Sequence, residues 1–202
     1  EPVDTPLVEH ATMTLAGQAG ITVAQTQIIP LVGFNAVAIR RFDRERGLRI
    51  HSISAGTAIR AGTPSGLEPQ MGYPELARIL RRVGVAQGNV NQSDARELFR
   101  RMVFNILIDN TDDHEKNHVL LVQDNQQLRL SPAFDVLPTG QALGYQSMHV
   151  GKDGAVSSVD NALSMAAMYG LSAREALQEA RRVAGVVDRW RAHFIAEGVS
   201  AE

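Results

Sequence analysis

The chain has 202 residues, with 20 Lys plus Arg against 22 Asp plus Glu, no cysteine and 44% hydrophobic residues. That length suits one ordinary domain or a compact pair of lobes, and a net charge of -2 excludes a chain built chiefly as a basic nucleic-acid coat. The lack of cysteine excludes disulfides, thiolate catalysis and cysteine-based zinc sites, and no apolar run is long enough to span a bilayer. A reducing, cytoplasmic setting without membrane contact fits this composition.

In chain order, Thr5-Pro6 opens a helix that runs through Glu9, Met13 and Leu15 to Gly17 or Gly20. Ile21–Leu31 and Asn35–Arg41 are β-prone runs around Val32-Gly33-Phe34 and predict a hairpin. Phe42 to Gly47 is a charged turn, and Leu48–Ser54 a further short strand. Ala55–Gln70, rich in glycine and proline, reads as an irregular loop, and Tyr73–Val85 as a helix. Ser93–Ile108 is the clearest helix. Ala95, Leu98, Phe99, Met102, Val103, Ile106 and Leu107 recur at three- and four-residue steps, with Arg96, Glu97, Arg100 and Arg101 on the opposite side. His118–Val122 and Gln127–Leu130 predict a second hairpin across Asp124-Asn125. After a glycine-rich stretch, Gly140–Gly154, two helices are expected, about Val159–Tyr169 and Ala173–Ala196.

The link Asn110-Thr111-Asp112-Asp113-His114-Glu115-Lys116-Asn117 packs three carboxylates, a histidine, a lysine and two amides between a buried helix and an apolar strand. His114 to His118 matches H-E-x-x-H, the zinc-peptidase signature, but that motif needs both histidines one helical turn apart. Here the second opens a β run, where residues four apart lie too far apart to share one ion. A phosphoryl-transfer loop fits the context better. Asp112 and Asn117 have the D-x-x-x-x-N spacing of a base and a magnesium ligand, and a hairpin and Phe134-Asp135-Val136 follow in the order a kinase requires. Asp113 is one residue short of that spacing and reads as loop solvation.

These segments, with Leu130-Ser131-Pro132-Ala133-Phe134-Asp135, resemble the D-x-H-x-K-N and L-x-P-x-[YF]-D patterns of HipA-like serine/threonine kinases, toxins of bacterial type II toxin–antitoxin modules. Arg41-Phe42-Asp43-Arg44 is similar to that family's R-F-D-R at its hinge. The resemblance implies an α+β, protein-kinase-like fold, with residues 1–54 as a partial N-lobe of helix, hairpin and hinge. Residues 55–202 would form a helical C-lobe with the catalytic loop and metal-binding hairpin. It implies ATP and Mg2+, with Asp112 as base and Asn117 and Asp135 as metal ligands. His114, Glu115 and Lys116 would line the phosphates, with Phe134 beside Asp135, and Arg40, Arg41 and Phe42 at the adenine. Core packing for the two phenylalanines and an Arg41–Asp43 ion pair are the plainer readings of those residues. Implied partners are a protein acceptor, glutamyl-tRNA synthetase among them, and a HipB-type DNA-binding antitoxin, with no direct nucleic-acid contact required.

Kinases also need an early strand lysine and a glycine-rich loop over the phosphates. The only lysines are Lys116 and Lys152, and Val37-Ala38-Ile39-Arg40 offers arginine where V-A-I-K would offer lysine. The expectation is a C-terminal portion of such a kinase, cut after the lysine strand, with Glu9 as the helix partner of that lysine. A catalytically inactive kinase-like module and a small-molecule phosphotransferase are the alternatives.

Overall fold

A computed structural model describes residues 3–200. Helix α1 (Thr5–Gln18) is capped by the Asp4 carboxylate, which accepts from the Leu7 N–H at 3.2 Å, and Pro6 occupies a first-turn position that needs no donor. Its buried side, Ala11, Met13, Leu15 and Ala16, packs against a two-stranded hairpin, β1 (Thr26–Leu31) and β2 (Phe34–Ile39). The strand expected from Ile21 starts five residues later. Residues 22–24 instead lie alongside Ala133 in a parallel bridge, with Ala133 N–H donating to Thr22 O and Ala24 N–H to Ala133 O, both at 2.8 Å.

The charged turn is itself a small hairpin, β3 (Arg44–Glu45) with β4 (Leu48–Arg49). Arg46 and Gly47 at its tip have φ of 48° and 82°, the paired positive values that a two-residue loop demands. β5 (Ser52–Ser54) then crosses to a second sheet and pairs with β6 (Val119–Val122), which pairs in turn with β7 (Leu128–Leu130). The run expected as one strand, Leu48–Ser54, is thus divided between two sheets.

The segment expected as an irregular loop begins with a helix, α2 (Ala55–Gly62). Ser54 Oγ accepts from Thr57 N–H at 3.2 Å, and Ala55, Gly56, Ala58 and Ile59 are buried, so capping and an apolar face outweigh the glycine content. α3 (Tyr73–Val83) and α4 (Val90–Leu107) form the centre of the helical body, joined by a short 3-10 turn, Gln87–Asn89. Arg101 departs from the amphipathic expectation: it is buried, donating to Ser131 O at 2.7 Å and pairing with Glu97. These contacts partner a charge that the spacing alone would send to solvent, although Arg101 Nη1 is buried without a hydrogen-bond partner.

The two expected C-terminal helices are each broken. α5 (Val159–Leu163) stops where Ser164 Oγ donates to Asn161 O at 2.6 Å, and a 3-10 turn, Ala166–Tyr169, follows. α6 (Ala173–Val187) carries a capping box of Ser172 and Glu175 and ends at Asp188, before α7 (Trp190–Ala196). α4 packs on α3, α5 and α6, while α1 reaches across to α6 and α7. Among the described residues, no helix is long and apolar enough to cross a membrane.

Candidate functional site

The polar link is a turn-rich loop held at both ends. Thr111 O accepts from Ser147 N–H at 3.2 Å and from Ser147 Oγ at 2.9 Å, fixing its entry to the glycine-rich segment. At its exit His118 O accepts from Ala55 N–H at 2.7 Å, fixing it to the first residue of α2. Asn117 N–H folds back onto His114 O at 2.9 Å. His114 and His118 therefore do not share a helix face, which removes the geometric basis of the zinc-peptidase motif.

Asp112 is exposed and Asp113 beside it is buried. The expectation of loop solvation fails for Asp113. Its Oδ2 accepts from Asn105 Nδ2 and from His118 Nε2, each at 2.8 Å, and from the Tyr73 hydroxyl. Burial alone would push this carboxyl up; the neighbouring His118 and the hydrogen bonds from His118 and Tyr73 outweigh it and hold it below the ordinary Asp value. Burial, and then the Asp113 charge, push the Tyr73 hydroxyl well up, so it remains a donor. Sequence reasoning missed this cluster. One signal was available: Asn105 lies three residues after Met102 on the apolar stripe of α4, a polar group facing the core.

Asn117 is buried and lines a small cavity, of about 10 Å3, with Phe134, Asp113, His118, Arg101 and Asn105. Asp135, one residue past Phe134, is exposed with a left-handed φ of 57°. The Phe134 ring stands 5.5 Å from that of Phe42, tilted by 38°, so the 40–43 turn touches the segment bearing Asp135. Both rings also pack against the core. Arg41 donates to Asp43 through Nε at 2.7 Å and Nη2 at 2.6 Å, the plainer of its two readings, and its side chain is exposed. Arg40 is exposed and donates to Gln25 Oε1 at 3.1 Å. Lys116 is exposed, and His114 and Glu115 are half-buried. Glu115 lies over α2, where a Cβ built on Gly56 would fall 2.5 Å from its Cγ.

Glu9 joins this group from α1. Its carboxyl is pushed up, first by burial and then by the charge of Asp135. The Asp135 carboxylate whose charge raises Glu9, together with the Asn117 carboxamide in the cavity that Phe134 also lines, gives oxygen donors of the kind a hard divalent cation takes. Among the described residues no three or more His, Cys, Asp or Glu converge as a protein-only metal site would require. Mg2+ bound together with phosphates needs only one or two protein ligands, so the residues present fit that ion.

Comparison with known proteins agrees in direction. The chain is 30% identical over 209 residues to "Putative kinase Y4dM" of Sinorhizobium fredii, covering 95% of this chain and 49% of that protein. It is 26% identical over 139 residues to a "Putative kinase" of Haemophilus influenzae, covering 63% of this chain and 39% of that one. It thus spans about half or less of the curated relatives it matches. Among solved structures, the HipA–HipB–operator DNA complex of Shewanella oneidensis MR-1 aligns with a TM-score of 0.74 at 18% identity, over 97% of this chain and 50% of that one. The Helicobacter pylori proinflammatory kinase CtkA aligns with a TM-score of 0.62 at 11% identity, over 97% and 86%. The family described as HipA-like C-terminal domain matches residues 2–190, and with that match the chain belongs to this family.

Proposed function

We propose that this chain carries the phosphoryl-transfer site of an ATP- and Mg2+-dependent kinase acting on a serine or threonine hydroxyl of a protein. One observation supports the reading most: Asn117 of the polar loop and Phe134 after β7 line one small cavity, and Asp135, the residue after Phe134, is close enough to Glu9 on α1 for its charge to raise the Glu9 carboxyl. Residues 1–54 then act as a partial N-lobe and residues 55–202 as a helical C-lobe, with Arg40, Arg41 and Phe42 at the join.

In this reading Asp112, free in solvent, aligns the acceptor hydroxyl and takes its proton as the hydroxyl oxygen bonds to the γ-phosphorus and the bond from that phosphorus to ADP breaks. Asn117 and Asp135 hold the metal, and His114 and Lys116 face the phosphates. Glu115, against Gly56, orders the loop more than it touches nucleotide. Mg2+, when bound with ATP, supplies neutralisation of the charge on the transferred group. Glu9 steadies a cationic partner at the phosphates. The partner class follows the structural neighbour, whose complex contains HipB and operator DNA. We extend to this chain a DNA-binding antitoxin of that type.

The test is transfer of labelled γ-phosphate by the whole gene product to a panel of proteins, sugars and aminoglycosides. Asp112→Asn and Asp135→Ala are each expected to lower transfer by at least about 1,000-fold, on the scale of catalytic-group deletions, while circular dichroism stays unchanged. Transfer at wild-type rate in either variant would sink the assignment. Labelling confined to a sugar would move the acceptor from protein to small molecule.

A further inference from the structure

Asp113 follows the candidate base directly, and His118 follows the candidate metal ligand directly. Their side chains meet at 2.8 Å, both almost fully buried, so the loop between them is closed on itself at its base. Three further contacts hold this clasp from outside the loop. Asn105 on α4 donates to the same carboxylate oxygen at 2.8 Å, Tyr73 on α3 donates to it through its hydroxyl, and the Tyr73 and His118 rings meet edge-on at 5.4 Å. Asn105 also accepts from Asn110 Nδ2 at 3.1 Å through its own Oδ1. The carboxylate can only accept, so Nε2 of His118 is the donor.

We propose that Asp113 and His118 are positioning residues: their buried hydrogen bond sets the span and orientation between Asp112 and Asn117. The inference rests on the phosphoryl-transfer reading for the roles of those two neighbours, but the clasp itself is a statement about the loop. Side chains that alternate along a turn cannot all be fixed by packing, because Asp112 and Lys116 are in solvent. A buried bond between the residues just after each working group fixes both backbones while leaving the Asp112 side chain free in solvent. Outer groups of this kind at metal sites change metal affinity by roughly 10- to 100-fold when removed.

The test uses the 15N-labelled whole gene product in three variants. His118→Leu removes the donor; His118→Gln keeps a donor able to reach the same oxygen; Tyr73→Phe removes a donor that lies outside the loop. In His118→Leu, exchange of the Asn117 amide is expected to rise at least tenfold while amides in the middle of α4 keep their rates. Broadening of the Asn117 and Asp135 signals by Mn2+ with ATP is expected to need about tenfold more metal. His118→Gln should restore both readouts, and Tyr73→Phe should leave both near wild type. Unchanged Asn117 exchange in His118→Leu overturns the proposal, as does an equal effect from Tyr73→Phe. If His118→Leu does not fold, the double variant Asp113→Asn with His118→Leu carries the same two readouts, because the amide oxygen still accepts from Tyr73 and Asn105. Absence of Mn2+·ATP broadening in the wild type would sink the phosphoryl-transfer reading alone, since the exchange measurement still decides the clasp.

Discussion

Two aspartates among the described residues are held below their ordinary pKa, and they are held differently. Asp43, at the 40–43 turn, is itself buried but accepts from Arg41 and Arg44, whose side chains are 65% and 41% exposed. Asp113, under the polar loop, is buried among Tyr73, Asn105 and His118. Water and salt can replace much of what an exposed arginine does, whereas nothing replaces a missing partner in the interior. The first arrangement trims a turn; the second commits three elements, α3, α4 and the start of β6, to one point.

The comparison is broken most severely by Asp113→Ala, which removes the acceptor shared by three buried donors, Tyr73, Asn105 and His118. It is expected to cost about 3–5 kcal/mol, read as a lower denaturant midpoint at unchanged slope. A loss under about 1 kcal/mol would mean that the interior relaxes around the gap. Next in size is Gly56→Ala at the far end of the same loop. Its new methyl meets Glu115 and is expected to cost about 1–3 kcal/mol and to shift the Glu115 signals. Asp43→Asn is expected to cost least. Asp43 has a lowered pKa, chiefly through its hydrogen bond from Arg41, so its contribution is present above the unfolded Asp value of about 3.9 and fades as pH falls below it. The gap between wild type and Asp43→Asn in thermal melts should therefore close as pH is lowered from 5 towards 2, a gap independent of pH being the contrary result.

Much of the fold was legible where one rule acted alone. The stripe on α4 and the β6–β7 hairpin follow directly from period and turn chemistry. α2 was not legible, because Gly56 looks like a helix breaker until Glu115 is seen to need its missing side chain. The broken C-terminal helices turn on a single serine hydroxyl at Ser164 and on Asp188, features with no periodic signature. At the site, motif spacing brought Asn117, Phe134 and Asp135 into one neighbourhood on paper. It misjudged Asp113, because solvation and burial are indistinguishable in a short polar run. The contacts that bury it come from Tyr73 and Asn105, forty and eight residues away.

The backbone ladder at Ala133 has a mechanical consequence. Ala133 donates to Thr22 and accepts from Ala24, and Arg101 reaches across to Ser131 O. Asp135 is two residues beyond that ladder, and Glu9 sits on the helix immediately before it. The segment that follows α1 and the residue two places before Asp135 are thus tied by two backbone hydrogen bonds, so a displacement of residues 22–24 would be passed to the backbone next to Asp135.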